Sequence, residues 1–365
     1  MRSGLLEESL REAMVLTEPL VSVIMPVRNE EDHLARSLDS ILANDYPRER
    51  LEVIVIDGRS SDRSTDIVRE YALNHPNVRL LDNPRCIVPA GLNLGIGESR
   101  GEIIVRADAH TVYAPDYIRT CAELLETTGA ASVGGIQRAF GTDYVSRTIA
   151  IAMTTPFGVG NAPYRYVDHE TWVDTVYLGA WRRETLERLG GFDEAWVVNQ
   201  DYELNVRLRR AGGKILLSPR IRCWYTVRPT LRALARQWLR YGFWRVKTLI
   251  AYPDSLQPRQ LAPPGVTLGL LLSLLVLPFS RTLACVVPAA YTVASLIAAA
   301  VAASRRGWRY LPLLPLAFAT IHLSWGSGFF AGLFRWGLPQ LATPLRAEGP
   351  PSGGRAGGAD EGDQA

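Results

Sequence analysis

Short apolar runs separated by polar turns fill the first 110 residues, and each run has the length of a buried strand. Val21-Ser22-Val23-Ile24-Met25-Pro26-Val27 comes first and Leu51-Glu52-Val53-Ile54-Val55-Ile56 second. Val78-Arg79-Leu80-Leu81 is third and Glu102-Ile103-Ile104-Val105-Arg106-Ala107 fourth. Between them the spacing turns helical. Glu30 and Glu31 favour a helix start, and Leu34, Leu38, Ile41 and Leu42 supply its apolar stripe. Asn44-Asp45-Tyr46-Pro47 ends it. Residues 64–71 and 89–99 read as the next two helices. Strands and helices alternating across short turns predict an α/β fold, Rossmann-like, with a mainly parallel sheet and flanking helices. Ligands in such sheets sit beyond the C-terminal strand ends. Residues 26–30, Asp57, residues 82–85 and Asp108 all fall at such ends, four polar turns on one rim.

Beyond residue 130 the order loosens. A strand is expected over 131–135, a Gly-, Pro- and Tyr-rich loop over 155–165, and an extended segment over 176–181. A short helix over 183–189 stops at Gly190-Gly191, and a helix over 201–211 stops at Gly212-Gly213. Residues 214–217 and 221–226 read as two short strands. A long helix over 230–250 carries Arg232, Arg236, Arg240, Arg245 and Lys247 beside Trp238, Tyr241, Phe243 and Trp244, a pattern suited to a membrane surface.

After residue 261 the pattern becomes that of a chain in lipid. Arg281 is the one formal charge over 261–303. The stretch divides into 261–280 and 282–303, each about the twenty residues that a bilayer core requires. Residues 310–334 form a third candidate, with re-entrant or interfacial placement open because of its Gly and Pro content. Arg305, Arg306 and Arg309 then mark the cytoplasmic side. The expected organisation is an N-terminal extension over 1–20, a catalytic domain over 21–250, a membrane region over 261–334 with two or three transmembrane helices, and a disordered tail over 348–365.

Composition narrows the choices. The 365 residues are 47% hydrophobic, enough for a full core, and a net charge of +3 speaks against nucleic acid as a partner. Cys86, Cys121, Cys223 and Cys285 lack metal-like spacing and read as free buried thiols of a reducing compartment. No secretory signal stands at the N-terminus, so the catalytic part is expected to face the cytoplasm.

The chemistry follows from the rim. Asp108 and His110, two residues apart at a strand end, can grip a divalent cation, which would neutralise a diphosphate. His110 favours Mn²⁺ over Mg²⁺, or else hydrogen-bonds to phosphate or backbone as a pocket residue. Asp57 can accept a base-ring N–H such as uracil offers, or simply form a turn. Arg85 meets phosphate or is a solvated charge. Asp201, at a helix mouth, serves as a general base or as an N-cap. Glu203 orients an acceptor or holds the helix start. Gln237, Arg240 and Tyr241 share one helical turn, where Arg can pair with diphosphate and an aromatic can stack on a sugar.

Several segments point the same way. Val23-Ile24-Met25-Pro26-Val27-Arg28-Asn29-Glu30, Val55-Ile56-Asp57-Gly58-Arg59-Ser60-Ser61-Asp62-Arg63-Ser64, Asp108-Ala109-His110, Gln200-Asp201-Tyr202-Glu203-Leu204 and Gln237-Trp238-Leu239-Arg240-Tyr241 stand in one order. Together they resemble the family-2 inverting glycosyltransferases of GT-A fold, over about 21–247. Pro156-Phe157-Gly158-Val159-Gly160-Asn161, Gly179-Ala180-Trp181-Arg182-Arg183 and Tyr241-Gly242-Phe243-Trp244 resemble the bacterial succinoglycan-type exopolysaccharide glucosyltransferases. The resemblance implies donor-nucleotide binding by Pro26, Val27, Arg28, Glu30, Asp57, Arg85 and Asp108. It implies a cation on Asp108 and His110, catalysis by Asp201, and acceptor or diphosphate contacts from Glu203, Gln237, Arg240 and Tyr241. It also implies transfer of a hexose, glucose by analogy, from a UDP-sugar to a polyprenyl-diphosphate-linked glycan at a bacterial plasma membrane, beside other polysaccharide-assembly enzymes. A processive synthase and a non-catalytic nucleotide-sugar-binding scaffold are the rival readings. His110, Gln200 and Tyr241 depart from the family's Asp, Glu and Trp, and Tyr241 weakens the processive reading. A dinucleotide oxidoreductase is disfavoured, because no Gly-x-Gly-x-x-Gly follows the first strand.

Overall fold

The computed structural model describes residues 18–160 and 162–337. Most of the N-terminal extension, Asn161 and the tail over 348–365 lie outside them. The four apolar runs form β1 (Val21–Val27), β2 (Leu51–Asp57), β3 (Val78–Asp82) and β4 (Ile103–Arg106), paired in parallel in the order β3-β2-β1-β4. Helices α1 (Leu34–Leu42), α2 (Ser64–Asn74) and α3 (Val88–Glu98) connect them. Side chains alternate across the sheet, as the two-residue period of a strand requires. Val23, Val53 and Val105 pack with Leu34, Leu38 and Ile41 of α1 on one face. Ile24, Ile54 and Ile104 pack with Leu92 and Ile96 of α3 on the other. The first turn after Glu30 is not yet α-helix, so α1 starts at Leu34 rather than at the glutamates.

Past β4 the sheet becomes mixed. The next elements are β5 (Thr111–Tyr113), α4 (Tyr117–Thr127), β6 (Ser132–Phe140) and α5 (Tyr144–Met153). A short α6 (Pro156–Val159) follows, then β7 (Thr171–Val173), β8 (Tyr177–Arg182) and α7 (Arg183–Leu189). The last are α8 (Gln200–Arg210) and β9 (Ile215–Thr226). β8 lies between β4 and β6 and runs antiparallel to both. The segment before it crosses over the strand ends, so β8 begins at the rim and runs away from it, without the crossover helix that a parallel strand needs. The two short strands expected over 214–226 are one strand. Its pairing with β6 shifts register between Gly134 and Ile136, opposite Ser218-Pro219-Arg220, and this irregularity absorbs a proline that has no N–H to give the ladder.

The C-terminal part is helical: α9 (Leu231–Ala251), α10 (Ala262–Val276), α11 (Arg281–Arg306) and α12 (Leu314–Gly332). Three helical stretches here are long and apolar enough to cross a membrane. Leu274, Leu275, Phe279 and Leu283 stand 65% or more exposed, a surface that water does not tolerate on this scale but hydrocarbon does. Cys285 belongs to this exposed apolar surface and Cys86 is only half-buried, so the expectation of four buried thiols fails at both. Cys121 and Cys223 are buried, and all four are free.

α9, expected on a membrane surface, packs along α12. A Cβ on Gly242 would stand 2.0 Å from the Trp325 carbonyl oxygen, and one on Gly328 2.0 Å from that of Leu239. Two glycines therefore let the helix backbones touch. Gly242→Ala is expected to force α9 from α12 and lower the melting temperature of the purified full-length protein. Gly265→Ala is the control, because nothing lies within 4 Å of a Cβ there and the helix gains about 1 kcal/mol of propensity. Equal melting temperatures for the two variants would contradict the close packing.

Candidate functional site

β4 delivers its last residue, Arg106, into the interior with its side chain 8% exposed. An Arg in such a place requires partners. Its Nη2 donates to Asp108 Oδ1 at 3.0 Å, and its Nη1 donates to Asp201 Oδ1. One guanidinium thus ties the turn after β4 to the first turn of α8, ninety-five residues later. The turn itself is pinned. The Asp108 N–H donates to Tyr113 Oη at 2.7 Å, and the Asp108 carbonyl accepts from Ser37 Oγ at 3.3 Å. Tyr177, at the rim end of β8, donates its hydroxyl to Asp108 Oδ2 at 3.4 Å.

Asp201 does not cap its helix. The N-cap is Asn199, held in the left-handed region at φ 64°, where a residue other than glycine is strained. The Asn199 side-chain amide donates to the Tyr241 carbonyl at 3.3 Å. This anchors α8 against α9 and aims the Asp201 carboxylate at Arg106.

The three charges hold one another in unequal states. Burial pushes Asp201 above the ordinary carboxylate value, Arg106 works against that shift and Asp108 adds to it. Its side chain is 32% exposed, and Asp201 lines the cavity. At Asp108 burial also opposes ionisation, yet Arg106 and His110 outweigh it and keep the carboxyl below its ordinary value. Burial of Arg106 is overcome by its two carboxylates, which lock the guanidinium in the charged form. Two carboxylates in one cavity are thereby pushed apart in acidity, the arrangement that separates a proton acceptor from a permanent anion.

The cavity measures about 1490 Å³. Pro26, Val27, Arg28, Glu30, Asp108, His110, Asp201, Gln237, Arg240 and Tyr241 all line it, so most residues singled out in the sequence come together. His110 Nδ1 lies 3.1 Å from Glu30 Oε1, and its ring meets Tyr225 edge-on at 5.3 Å. Gln237 Nε2 donates to both Tyr225 Oη and Tyr241 Oη at 3.0 Å. Asp57 sits just behind the rim. Its carboxylate accepts from the Ser60 N–H at 3.1 Å, while its neighbours Ile56 and Gly58 line the cavity.

Two expectations fail. Arg85 does not line the cavity; it is 62% exposed and paired with Glu194, as the solvated-charge reading has it. Glu203 is fully buried beneath α8. It accepts from Arg207 Nε at 2.6 Å and from Tyr252 Oη at 2.8 Å, and holds the helix start rather than an acceptor. The sequence reading missed Arg106, Tyr177, Arg165 and Trp238. Arg106 carried a usable signal, a lone cation inside a run of buried apolar residues.

Among the described residues no three His, Cys, Asp or Glu side chains converge as a closed metal site. Asp108 Oδ2 has only the long Tyr177 contact, and His110 Nε2 has no partner among the described residues. One carboxylate oxygen and one imidazole nitrogen fit a divalent cation that keeps its other positions for diphosphate oxygens and water.

Residues 22–190 match the family described as Glycosyl transferase family 2. The chain is 29% identical over 325 residues to the succinoglycan biosynthesis protein ExoA of Rhizobium meliloti, covering 87% of this chain and 96% of that one. It is 26% identical over 230 residues to a dolichyl N-acetyl-alpha-D-glucosaminyl phosphate 3-beta-D-2,3-diacetamido-2,3-dideoxy-beta-D-glucuronosyltransferase of Methanococcus voltae, covering 61% and 71%. Its fold is shared with the mannosyltransferase PcManGT of Pyrobaculum calidifontis, solved with GDP-Man and Mn²⁺. That likeness has a TM-score of 0.57 at 22% identity and covers 91% of this chain and 95% of that one.

Arg106→Met leaves two buried carboxylates facing each other without a cation, a loss of about 3–5 kcal/mol by the usual cost of breaking a buried pair. Its melting temperature is expected to fall at neutral pH. Both carboxylates then titrate above their ordinary value, so the deficit narrows as the pH is lowered and they take up protons. A deficit independent of pH would show that Arg106 acts through packing alone.

Proposed function

From the premise that this chain is a family-2 glycosyltransferase, its residues 22–190 matching that family, we propose that it moves one hexose from a UDP-sugar to a lipid-linked glycan with inversion at the anomeric carbon. The observation that carries this reading is the Arg106 bridge, which holds two carboxylates, Asp108 and Asp201, together in a single cavity.

Pro26, Val27, Arg28 and Glu30 form the donor end, and Asp57 accepts the N3–H of uracil behind the rim. Asp108 and His110 hold the divalent cation. When bound, that ion neutralises charge on the departing diphosphate as a Lewis acid. Asp201 has the raised proton affinity that a base needs. It takes the proton from the acceptor hydroxyl as the oxygen attacks the anomeric carbon opposite the diphosphate. Arg106 keeps Asp201 ionised between turnovers and fixes its aim. Gln237, Tyr241 and Arg240 line the route by which the acceptor arrives.

The helices support a membrane acceptor delivered on the side of the catalytic domain. α10 leaves that domain and α11 returns to it, since Tyr144 Oη of α5 donates to the Arg309 carbonyl at 2.9 Å and Tyr144 stacks on Tyr310. The turn over 277–280 is therefore the far tip of a hairpin. Arg305, Arg306 and Arg309 lie at its near end, where the positive-inside rule puts the cytoplasm. The acceptor of this reading is a glycan on a polyprenyl diphosphate at the inner face of a bacterial plasma membrane, in polysaccharide assembly.

In membranes or detergent, with radiolabelled UDP-sugars and extracted lipid acceptor, Asp201→Asn is expected to lower kcat by about 10²–10⁴-fold while UDP affinity stays unchanged. Equal loss of both would remove the base assignment. Asp57→Ala is expected to weaken UDP binding about tenfold through the lost hydrogen bond to uracil, with little change in kcat at saturating donor. Unaltered UDP affinity would return Asp57 to the role of a turn residue.

A further inference from the structure

The cavity continues past the reacting groups. From His110 its wall runs through Tyr225, Gln237 and Tyr241 to Trp238 and Arg165, and then to apolar side chains of α10 and α11 such as Val266, Val286 and Ala290. Arg165 ends a short turn, Pro163–Arg165, and is 8% exposed. Its guanidinium lies over the rings of Tyr164 and Trp238, at 5.1 and 5.9 Å. Among the described residues no carboxylate pairs with it, and its Nη1 is buried without a hydrogen-bond partner. The indole Nε1 of Trp238 is buried and unpartnered as well. The cavity's other cations are held differently, although the Nε atoms of Arg106 and Arg245 are also buried without a partner: Arg106 is doubly paired with carboxylates, the buried Arg245 donates to the Ser255 carbonyl and to Gln260 Oε1, Arg259 pairs with Asp174, and Arg28, Arg228, Arg236 and Arg240 are exposed.

A buried cation with an unused donor beside a second unused donor calls for an anion, since burying these groups unsatisfied has no compensation from the rings alone. Chloride or free phosphate would satisfy the charge, but the wall that α10 and α11 add is largely apolar, with Val266, Val286, Val287, Ala290 and Ala294 beside Tyr291. The ligand whose chemistry matches both halves is an anionic phosphate carried on a long apolar chain.

We propose that Arg165 and Trp238 form a binding site for the phosphate or diphosphate of a lipid acceptor, whose chain lies against the α10–α11 hairpin. The proposal rests on the reading of a lipid-linked acceptor and gives that acceptor an anchor distinct from the donor site and from Gln237, Arg240 and Tyr241. The aromatic rings that flank the guanidinium hold it flat and dry, so that its free edge meets the anion.

The test uses the full-length protein in detergent with UDP at saturation, so that diphosphates cannot report on the donor site. Farnesyl diphosphate, farnesol and inorganic pyrophosphate are titrated by calorimetry. Farnesyl diphosphate is expected to bind at least about tenfold more tightly than either of the others. Arg165→Gln is expected to erase its advantage over farnesol, Arg165→Lys to restore part of it, and both to keep UDP affinity. Farnesyl diphosphate binding no better than farnesol would overturn the proposal. So would pyrophosphate binding as tightly as the lipid, which would make this a site for a free anion, and so would an undiminished advantage in Arg165→Gln. The three-probe comparison in the unaltered protein decides the matter even if a variant fails to fold. Sugar transfer that proceeds without any preference for the anionic lipid would sink this inference alone. Preference for the anionic lipid without any sugar transfer would support it while removing the functional reading above.

Discussion

A single buried guanidinium organises the reacting centre. Arg106 enters from the most conventional part of the fold, the end of a parallel strand, and meets Asp201 from a helix that belongs to the irregular half. Without that cation two carboxylates would face each other in one cavity, and each would raise the other's proton affinity. With it, Asp108 is held below the ordinary carboxylate value beside His110, while burial still raises Asp201 above it against the pull of Arg106. A buried ion pair adds little net stability as a rule. The value of this one lies in geometry, because it fixes the separation between Asp108 and Asp201.

The surrounding structure can be understood as support for that triangle. Tyr113 and Ser37 pin the Asp108 turn from one side. Asn199, in a strained left-handed conformation, and its bond to α9 pin the start of α8 from the other. α9 in turn is seated on α12 through Gly242 and Gly328. Catalytic groups and membrane helices are therefore coupled through rigid packing, with no long linker between them. The cavity that begins at the nucleotide rim ends among residues of α10 and α11, so a soluble donor and a membrane-borne acceptor can approach one centre from opposite ends.

Much of this was legible in the chain. The four N-terminal strands, their helices and the rim were readable because buried parallel strands are nearly continuous apolar runs. Asp108, His110 and Asp201 stood out because short acidic motifs at strand and helix ends recur in one family. Beyond β4 the sequence was less informative. The orientation of β8 depends on a loop that crosses the strand ends, and no local pattern encodes that path. β9 reads as two strands because Pro219 interrupts it, while the cross-strand register that carries it through is a tertiary fact. For Arg85 and Glu203 the functional alternative gives way to the structural one for a single reason. A charge near a motif looks functional in one dimension, whereas Glu194 and Arg207 were waiting for them in three. Arg106 was overlooked for the converse reason, since it looked like part of a strand.

The central claim is that one carboxylate, Asp201, acts on the acceptor from the side opposite the diphosphate held near Asp108. The stereochemistry of the product tests it most directly. Proton NMR of the glycan formed from an α-linked nucleotide sugar is predicted to show a β-configured anomeric proton at the new linkage. An α-configured linkage would mean that the leaving group and the acceptor share a face, and the account built on Arg106 and Asp201 would be contradicted.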